Sequence, residues 1–295
     1  MNILLTGKNG QLGFELQRSL APLGRVFAVD SSDCDLEDSE AVRELVRRVQ
    51  PQVVVNPAAF TAVDLAESHA DTAMAVNGVA PGVLGEEAHR LGAPVIHFST
   101  DYVFDGEKGA PYVEDDAPQP QSVYGRSKLM GEIALRQACP KHLILRTSWV
   151  FGAHGQNFAK TMLRLAQERS ELRVVSDQIG APTSAALLAD LTAHLVRQLQ
   201  QSDHASFPFG LYHVTASGET SWHAYARYVL EQATIKGYEL RTSPDRVMPI
   251  PTDAYPTLAR RPRDSRLDSS KFKRSFALEL PHWEQGLNHI LQQIL

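Results

Sequence analysis

The stretch "LLTGKNGQLG", Leu4 to Gly13, sets three glycines, Gly7, Gly10 and Gly13, between an apolar run that begins at Met1 and the helical pattern "QLGFELQRSLAPLG". A strand that ends in a glycine turn and opens a helix is where backbone amides approach a dinucleotide pyrophosphate, at the positive end of the helix. In that reading Gly7 makes the tight turn, Gly10 admits the pyrophosphate and Gly13 lets the helix pack on the strand. The spacing is Gly-x-x-Gly-x-x-Gly, and although Lys8 follows the first glycine, no Gly-Lys-Ser/Thr closes the loop, so it is not a P-loop. Taken alone, the triplet also fits a turn that holds no ligand.

Outward from this loop, short apolar runs alternate with longer helical patterns. The runs are "NILLT", "RVFAVD", "PQVVVN", "APVIHFST" and "HLILRTSWVF"; between them lie "SEAVRELVRRVQ" and "YGRSKLMGEIALRQA", with apolar residues every three or four positions. Strands this continuously apolar are buried on both faces, and helices between them are the crossovers of a parallel sheet. The expected fold is α/β, a doubly wound parallel sheet of Rossmann type with a smaller, interleaved C-terminal substrate lobe. Residues 1–152 read as the dinucleotide-binding domain. Residues 153–295 read as mainly the substrate-binding lobe, with some segments returning to the first domain.

The 295 residues carry a net charge of -5, which offers no bulk electrostatic attraction to nucleic acid. No apolar stretch reaches the roughly 18 residues of a membrane span, and no basic segment precedes the opening run, so neither a span nor a signal peptide is expected. The two isolated cysteines, Cys34 and Cys139, make no disulfide framework, and the cytoplasm is the expected compartment.

Asp30 closes "RVFAVD" near the offset of about 20 residues at which an acid takes the adenosine ribose hydroxyls. No Lys or Arg lies between Asp30 and Arg43 to neutralise a 2′-phosphate, so NADH is expected at least to be tolerated. Tyr124 and Lys128, four apart on one predicted helix, face the same way one turn apart. An ammonium there would lower the tyrosine pKa and make its hydroxyl a usable acid. Thr100 ends the fourth apolar run, at the edge where open α/β sheets bind ligands.

These strings carry a resemblance. "TGKNGQLG", "HFSTDYVFDG", "SVYGRSKLMGE", "RTSWVFG", "NFAKTMLRLA" and "DQIGAPTSA" resemble the extended short-chain dehydrogenase/reductase superfamily, and within it the dTDP-4-dehydrorhamnose reductase family, from Asn2 through "ARRPRDSRLD". The glycine and Tyr-x-x-x-Lys motifs mark only the superfamily, whereas "STDYVF", "RTSWVFG" and "DQIGAPT" are more specific. The resemblance implies reduction of the 4-keto group of dTDP-6-deoxy-L-lyxo-4-hexulose by NADH or NADPH, with a dTDP-4-keto-6-deoxy sugar as partner. It implies cofactor contacts at Gly10, Gln11, Leu12, Asp30, Asp35, Leu36, Ala59, Phe60, Thr61, Phe98, Tyr124 and Lys128, beside Gly7 of the loop. It implies sugar-side contacts at Thr100, Asp101 and Trp149, with Asn157 and Phe158 as further candidates. The catalytic assignment is Tyr124 as proton donor, Lys128 for electrostatic tuning and ribose contact, and Thr100 for a second hydrogen bond.

Other residues read two ways. Arg260, Arg261, Arg263 and Arg266 suit either a nucleotide diphosphate or a solvated loop interleaved with Asp264 and Asp268. The histidines show no metal-ligand spacing. Some members of the family form a dimer around Mg²⁺; Glu15 would match one ligand, but Ala185 and Ala186 stand where another acid is needed, and Asp190 is a helical turn further on. No bound metal is therefore expected, Glu15 reads as a surface helix acid, and the chain as a monomer or weak homodimer. Three other readings stay open: a related nucleotide-sugar reductase or epimerase, which as an epimerase would keep its NAD through purification; a non-catalytic NAD(P)-binding regulatory subunit, against which the joint presence of Thr100, Tyr124 and Lys128 argues; and an NAD-binding redox sensor, which would not need the sugar-side strings.

Overall fold

The computed structural model describes residues 1–295. Six strands form one parallel sheet: β1 (Asn2–Leu5), β2 (Arg25–Ala28), β3 (Val53–Asn56), β4 (Val95–Thr100), β5 (His142–Thr147) and β6 (Gly210–His213), in the order β6-β5-β4-β3-β1-β2. The long helices in chain order are α1 (Gln11–Leu20), α2 (Ser39–Val49), α3 (Ala80–Arg90), α4 (Val123–Ala138), α5 (Phe158–Glu168), α6 (Ala185–Gln201), α7 (Trp222–Ile235), α8 (Ser270–Phe276) and α9 (Trp283–Ile294). Side-chain alternation along the strands explains why both sheet faces are covered. Ile3, Leu5, Val53, Val55, Ile96, Phe98, Leu143 and Leu145 pack with α1, α6 and α8. Leu4, Val54, Val95 and Ile144 point the other way, against α2, α3 and the end of α4.

The chain leaves β1 toward β2 on one side of the sheet and β3 on the other. This reversal of strand order is where an open α/β sheet binds its ligand. Helix starts are marked by side chains that accept the free amides: Asp38 for α2, Ser122 for α4, Asn157 for α5, Ser184 for α6 and Ser221 for α7. The start of α1 differs. Its N-cap is Gly10, which has no side chain to offer.

A second core gathers α5, α7 and α9 around Leu172–Val175, a strand paired in parallel with Val247–Ile250. Between these segments α6 returns to pack with α1, and β6 pairs with β5. The polar centre of the main sheet is Arg146 on β5. Its guanidinium donates from Nε and Nη2 to the two oxygens of Glu132 on α4, at 2.8 and 2.6 Å, and lies over the Phe104 ring. Both side chains are almost wholly buried. The pair thus ties α4, which carries Tyr124 and Lys128, to the sheet. Glu132→Gln leaves the guanidinium buried beside a neutral amide and should cost about 3–5 kcal/mol of stability. Urea unfolding with an unchanged m-value is the measurement, and a loss below about 1 kcal/mol would show that other contacts hold α4.

Candidate functional site

A cleft of about 1010 Å³ opens at the carboxyl ends of the strands. Its floor begins in the glycine loop. Gly7 has φ +62, and a Cβ there would come within 2.9 Å of the Ala58 backbone just past β3. A Cβ on Gly13 would stand 2.0 Å from the Gly7 carbonyl oxygen, so helix α1 can lie against the loop only without one. The first amides of α1 have no intrahelical acceptor and no capping side chain, and Gln11 and Leu12 line the cleft. That is an anion-binding geometry.

Asp30 lies on the cleft rim past β2. Hydrogen bonds from Ser32, side chain first and then backbone, lower its carboxyl to about 2, with Lys8 adding attraction. Asn9 also donates to this carboxylate. Lys8 Nζ stands 3.6 Å from Asp30 and 2.5 Å from Asp33. Sequence proximity to Asp30 suggested that no cation would be available here, but the glycine loop brings one across from the neighbouring strand.

At the opposite end, Thr100 terminates β4, donates to Asp101 Oδ1 at 3.0 Å and accepts from the Tyr102 amide. Ser99 Oγ, Asp101 Oδ2 and Thr147 Oγ1 are buried without a protein partner, and all three residues line the cleft. Polar atoms in that state are candidate ligand contacts. Tyr124 and Lys128 lie one turn apart on α4, as the spacing predicts. The expected lowering of the tyrosine pKa is not found. Burial raises the Tyr124 phenol above its ordinary value, and the Thr100 hydroxyl beside it offsets only part of the rise. Lys128 is turned away, donating to the Phe98 carbonyl at 2.7 Å, and burial lowers its own pKa to about 8.

The far wall is aromatic. Trp149 follows β5 with φ +48, a conformation rare for a bulky side chain, and its indole stacks on Trp222 at 3.6 Å between centroids. Gly180 of "DQIGAPT" makes room for that ring, since a Cβ there would come within 2.6 Å of it. Asn157 lines the cleft but engages its amide within the chain: it donates to Gln11 Oε1 and the Gly152 carbonyl and accepts from the Lys160 amide. Phe158 does not line the cleft. It packs on Trp222 and Tyr225.

The four arginines separate. Arg260, Arg263 and Arg266 pair with Glu107, Asp253 and Asp264 respectively, away from the cleft, whereas Arg261 lines it, donates to Asp64 and leaves a buried Nε unpartnered.

Comparison with known proteins agrees with this geometry. The family model of the RmlD substrate binding domain matches residues 1–295. The chain is 52% identical to the dTDP-4-dehydrorhamnose reductase of Escherichia coli (strain K12), over 100% of this chain and 98% of that one. Among solved structures it is similar to the dTDP-4-dehydrorhamnose reductase from Clostridium acetobutylicum, with 35% identity, a TM-score of 0.90 and coverage of 100% and 99%. The same enzyme from Bacillus anthracis str. Ames, solved in complex with NADP, has 33% identity, a TM-score of 0.90 and 99% coverage of both chains. The chain belongs to the dTDP-4-dehydrorhamnose reductase family.

Apart from Phe158, every cofactor- and sugar-side residue expected from the sequence of this reductase lies on the one cleft: Gly7, Gly10, Gln11, Leu12, Asp30, Asp35, Leu36, Ala59, Phe60, Thr61, Phe98, Thr100, Asp101, Tyr124, Lys128, Trp149 and Asn157. Trp222 joins them without having been singled out. Its only signal was an aromatic at the start of a helix. Glu15 is more covered than a surface acid would be, with its side chain 12% exposed and paired to Arg18, which also reaches Asp190. No group of three or more His, Cys, Asp or Glu side chains is arranged to hold a metal ion, and no helix is long and apolar enough to cross a membrane.

Asp101 gives the reductase a measurable pH signature. Burial raises its carboxyl from 3.8 to about 6, and the hydrogen bond from Thr100 offsets only part of that rise. The folded chain therefore holds this proton more tightly than the unfolded chain, and stability falls as pH rises from about 4 to 6 and stays lower above. Asp101→Asn removes that cost and should raise stability at pH 8 by about 1–3 kcal/mol, with the gain shrinking toward pH 4. Denaturation at both pH values checks this, and an equal gain at each would contradict it.

Proposed function

We propose that the cleft holds NADH or NADPH across the β1 and β3 ends and a dTDP-4-keto-6-deoxy sugar between Thr100 and Trp149, and that Tyr124 gives up the proton as the 4-keto group is reduced to yield dTDP-L-rhamnose. The observation that carries this is that Tyr124 and Thr100, the latter at the carboxyl end of β4, line one cleft together with a helix start that fits a pyrophosphate. The cofactor, when bound, supplies the hydride.

The protein's part is to stabilise negative charge growing on the carbonyl oxygen. Tyr124, kept protonated by burial, holds its hydrogen in the resting site and releases it only to a stronger base such as the forming alkoxide. Thr100 and Tyr124 place two hydroxyls on the same wall, and the Lys128 ammonium adds positive charge from behind. Gly10, Gln11 and Leu12 take the pyrophosphate, Asp30 the adenosine ribose, and Asp35, Leu36, Ala59, Phe60 and Thr61 wall the nucleoside. Phe98 and Lys128 lie at the nicotinamide end. Arg261, with a free Nε on the cleft, suits the sugar-nucleotide diphosphate. Residues 1–152 serve mainly the cofactor and residues 153–295 mainly the sugar, with α6 and β6 returned to the first part. Two buried free thiols, Cys34 and Cys139, support a cytoplasmic site of action, and the chain acts in this reading as a monomer or weak homodimer formed without Mg²⁺.

Tyr124→Phe should keep NADH affinity within about twofold while losing about 10²–10⁴ in turnover. Near-normal turnover, followed as NADH oxidation with the dTDP-4-keto sugar, would remove Tyr124 from the acid role. Lys8 sits where a 2′-phosphate would meet Asp30 and Asp33. Lys8→Ala should therefore weaken NADPH binding about tenfold and leave NADH unchanged, as read by calorimetric titration of each. An equal loss for both would place Lys8 on the pyrophosphate instead.

A further inference from the structure

Behind Lys128 runs a line of buried polar side chains that the reaction itself does not touch. Thr6 follows β1, Asn56 ends β3 and His97 lies within β4, and none is more than 1% exposed. Thr6 Oγ1 is 2.5 Å from the Asn56 amide, that amide is 3.1 Å from His97 Nδ1, and His97 Nε2 is 3.4 Å from Lys128 Nζ. Thr6 also accepts from the amide of Ala58, the residue on which Gly7 packs, at 3.4 Å. The line thus joins the glycine loop to the lysine through three adjacent strands.

Donor and acceptor rules decide how it is wired. A lysine ammonium only donates, so His97 Nε2 must accept and the imidazole hydrogen must sit on Nδ1. In the structure Thr6 Oγ1 donates to Asn56 Oδ1 and Asn56 Nδ2 faces His97 Nδ1, so this tautomer requires the Asn56 amide to turn over, with oxygen to His97 and NH₂ to Thr6. Burial and the Lys128 charge hold His97 well below the usual imidazole range, so it stays uncharged beside the ammonium. The titratable and charged groups facing Lys128 are Tyr124 and Glu132 on its own helix, Arg146 of β5 through Glu132, and His97 of β4. Asn56 and Thr6 carry no charge.

We infer that His97 is the positioning residue of Lys128: protonated on Nδ1, it accepts one ammonium hydrogen while the Phe98 carbonyl accepts a second, which leaves the third turned to the cleft. Losing this acceptor would let the ammonium swing and would disfavour its charged form. This rests on the reading of Lys128 given above, and the two are separable. Lys128→Ala with undiminished turnover would end that reading whatever His97 does.

The first measurement needs no cofactor or substrate. In ¹⁵N-labelled protein the ring nitrogens of His97 should show a protonated Nδ1 and an unprotonated Nε2 at neutral pH; the opposite tautomer overturns the inference. The second is the pH profile of turnover. His97→Leu should move the alkaline limb down by about one pH unit and reduce turnover about tenfold, whereas His97→Gln, whose amide oxygen can still accept, should restore the limb. A folded His97→Leu variant whose limb does not move also overturns it. Should that variant fail to fold, the tautomer decides.

Discussion

Three stretches of backbone meet at the strand-order reversal, and the rest of the site follows from how closely they approach. The Gly13 Cα lies against the Gly7 carbonyl, and Gly7 lies against Ala58, which leaves no room for a methyl group at either glycine. Because helix α1 starts from that contact, its unsatisfied amides face the cleft, and the lysine and asparagine of the loop are carried onto Asp30. A side chain at Gly13 would have to push α1 off β1, moving the anion site and the Gln11 bond to Asn157 together. That bond is a direct polar link between the two cores at the cleft.

The two walls are built on different physics. The wall formed by β4 and α4 is polar and rigid, held by the bidentate Arg146 and Glu132 pair and by hydrogen bonds from Lys128. The opposite wall depends on shape. Trp149 occupies a left-handed backbone conformation that costs of order 1–3 kcal/mol, and its stack on Trp222 together with the clearance at Gly180 over-determines the strained position. Backbone strain of this kind needs support from its surroundings, which explains why residues from two other segments converge on one indole.

Much of this was legible in the sequence because it depends on local pattern. The five apolar runs became β1 to β5, and the glycine loop, the Tyr124 and Lys128 spacing and Thr100 at a strand end all fall on one cleft. What local pattern could not show was pairing between distant segments. Lys8 reaches Asp30 across two adjacent strands, Arg261 rather than its three neighbours turns inward, and Trp222 covers Trp149 from another helix. Glu15 looked like a surface acid from its place on α1, yet α6 brings Asp190 to the same arginine. The tyrosine pKa was misjudged for a related reason. Spacing places two side chains on one helix face, but it reveals neither the burial that raises the Tyr124 phenol nor the Phe98 carbonyl that draws the ammonium elsewhere.

Burial acts on acids and bases of the cleft in opposite directions, and the sum determines its field. It raises Asp101 and Tyr124 and lowers Lys128, so each of the three moves toward its uncharged form. Asp30, outside this dry region and hydrogen-bonded by Ser32, moves the other way and is ionised throughout the neutral range. The cleft thus carries negative charge at the Asp30 rim and, since Asp101 at about 6 is still largely ionised at neutral pH, a second carboxylate beside Thr100. Glu132, the carboxylate behind α4, is neutralised by Arg146, which leaves the Lys128 ammonium and the Asp101 carboxylate as the charges acting on the β4 end. In the proposed reaction an alkoxide developing there would meet two hydroxyls and a cation, whose combined pull has to outweigh the Asp101 carboxylate beside Thr100.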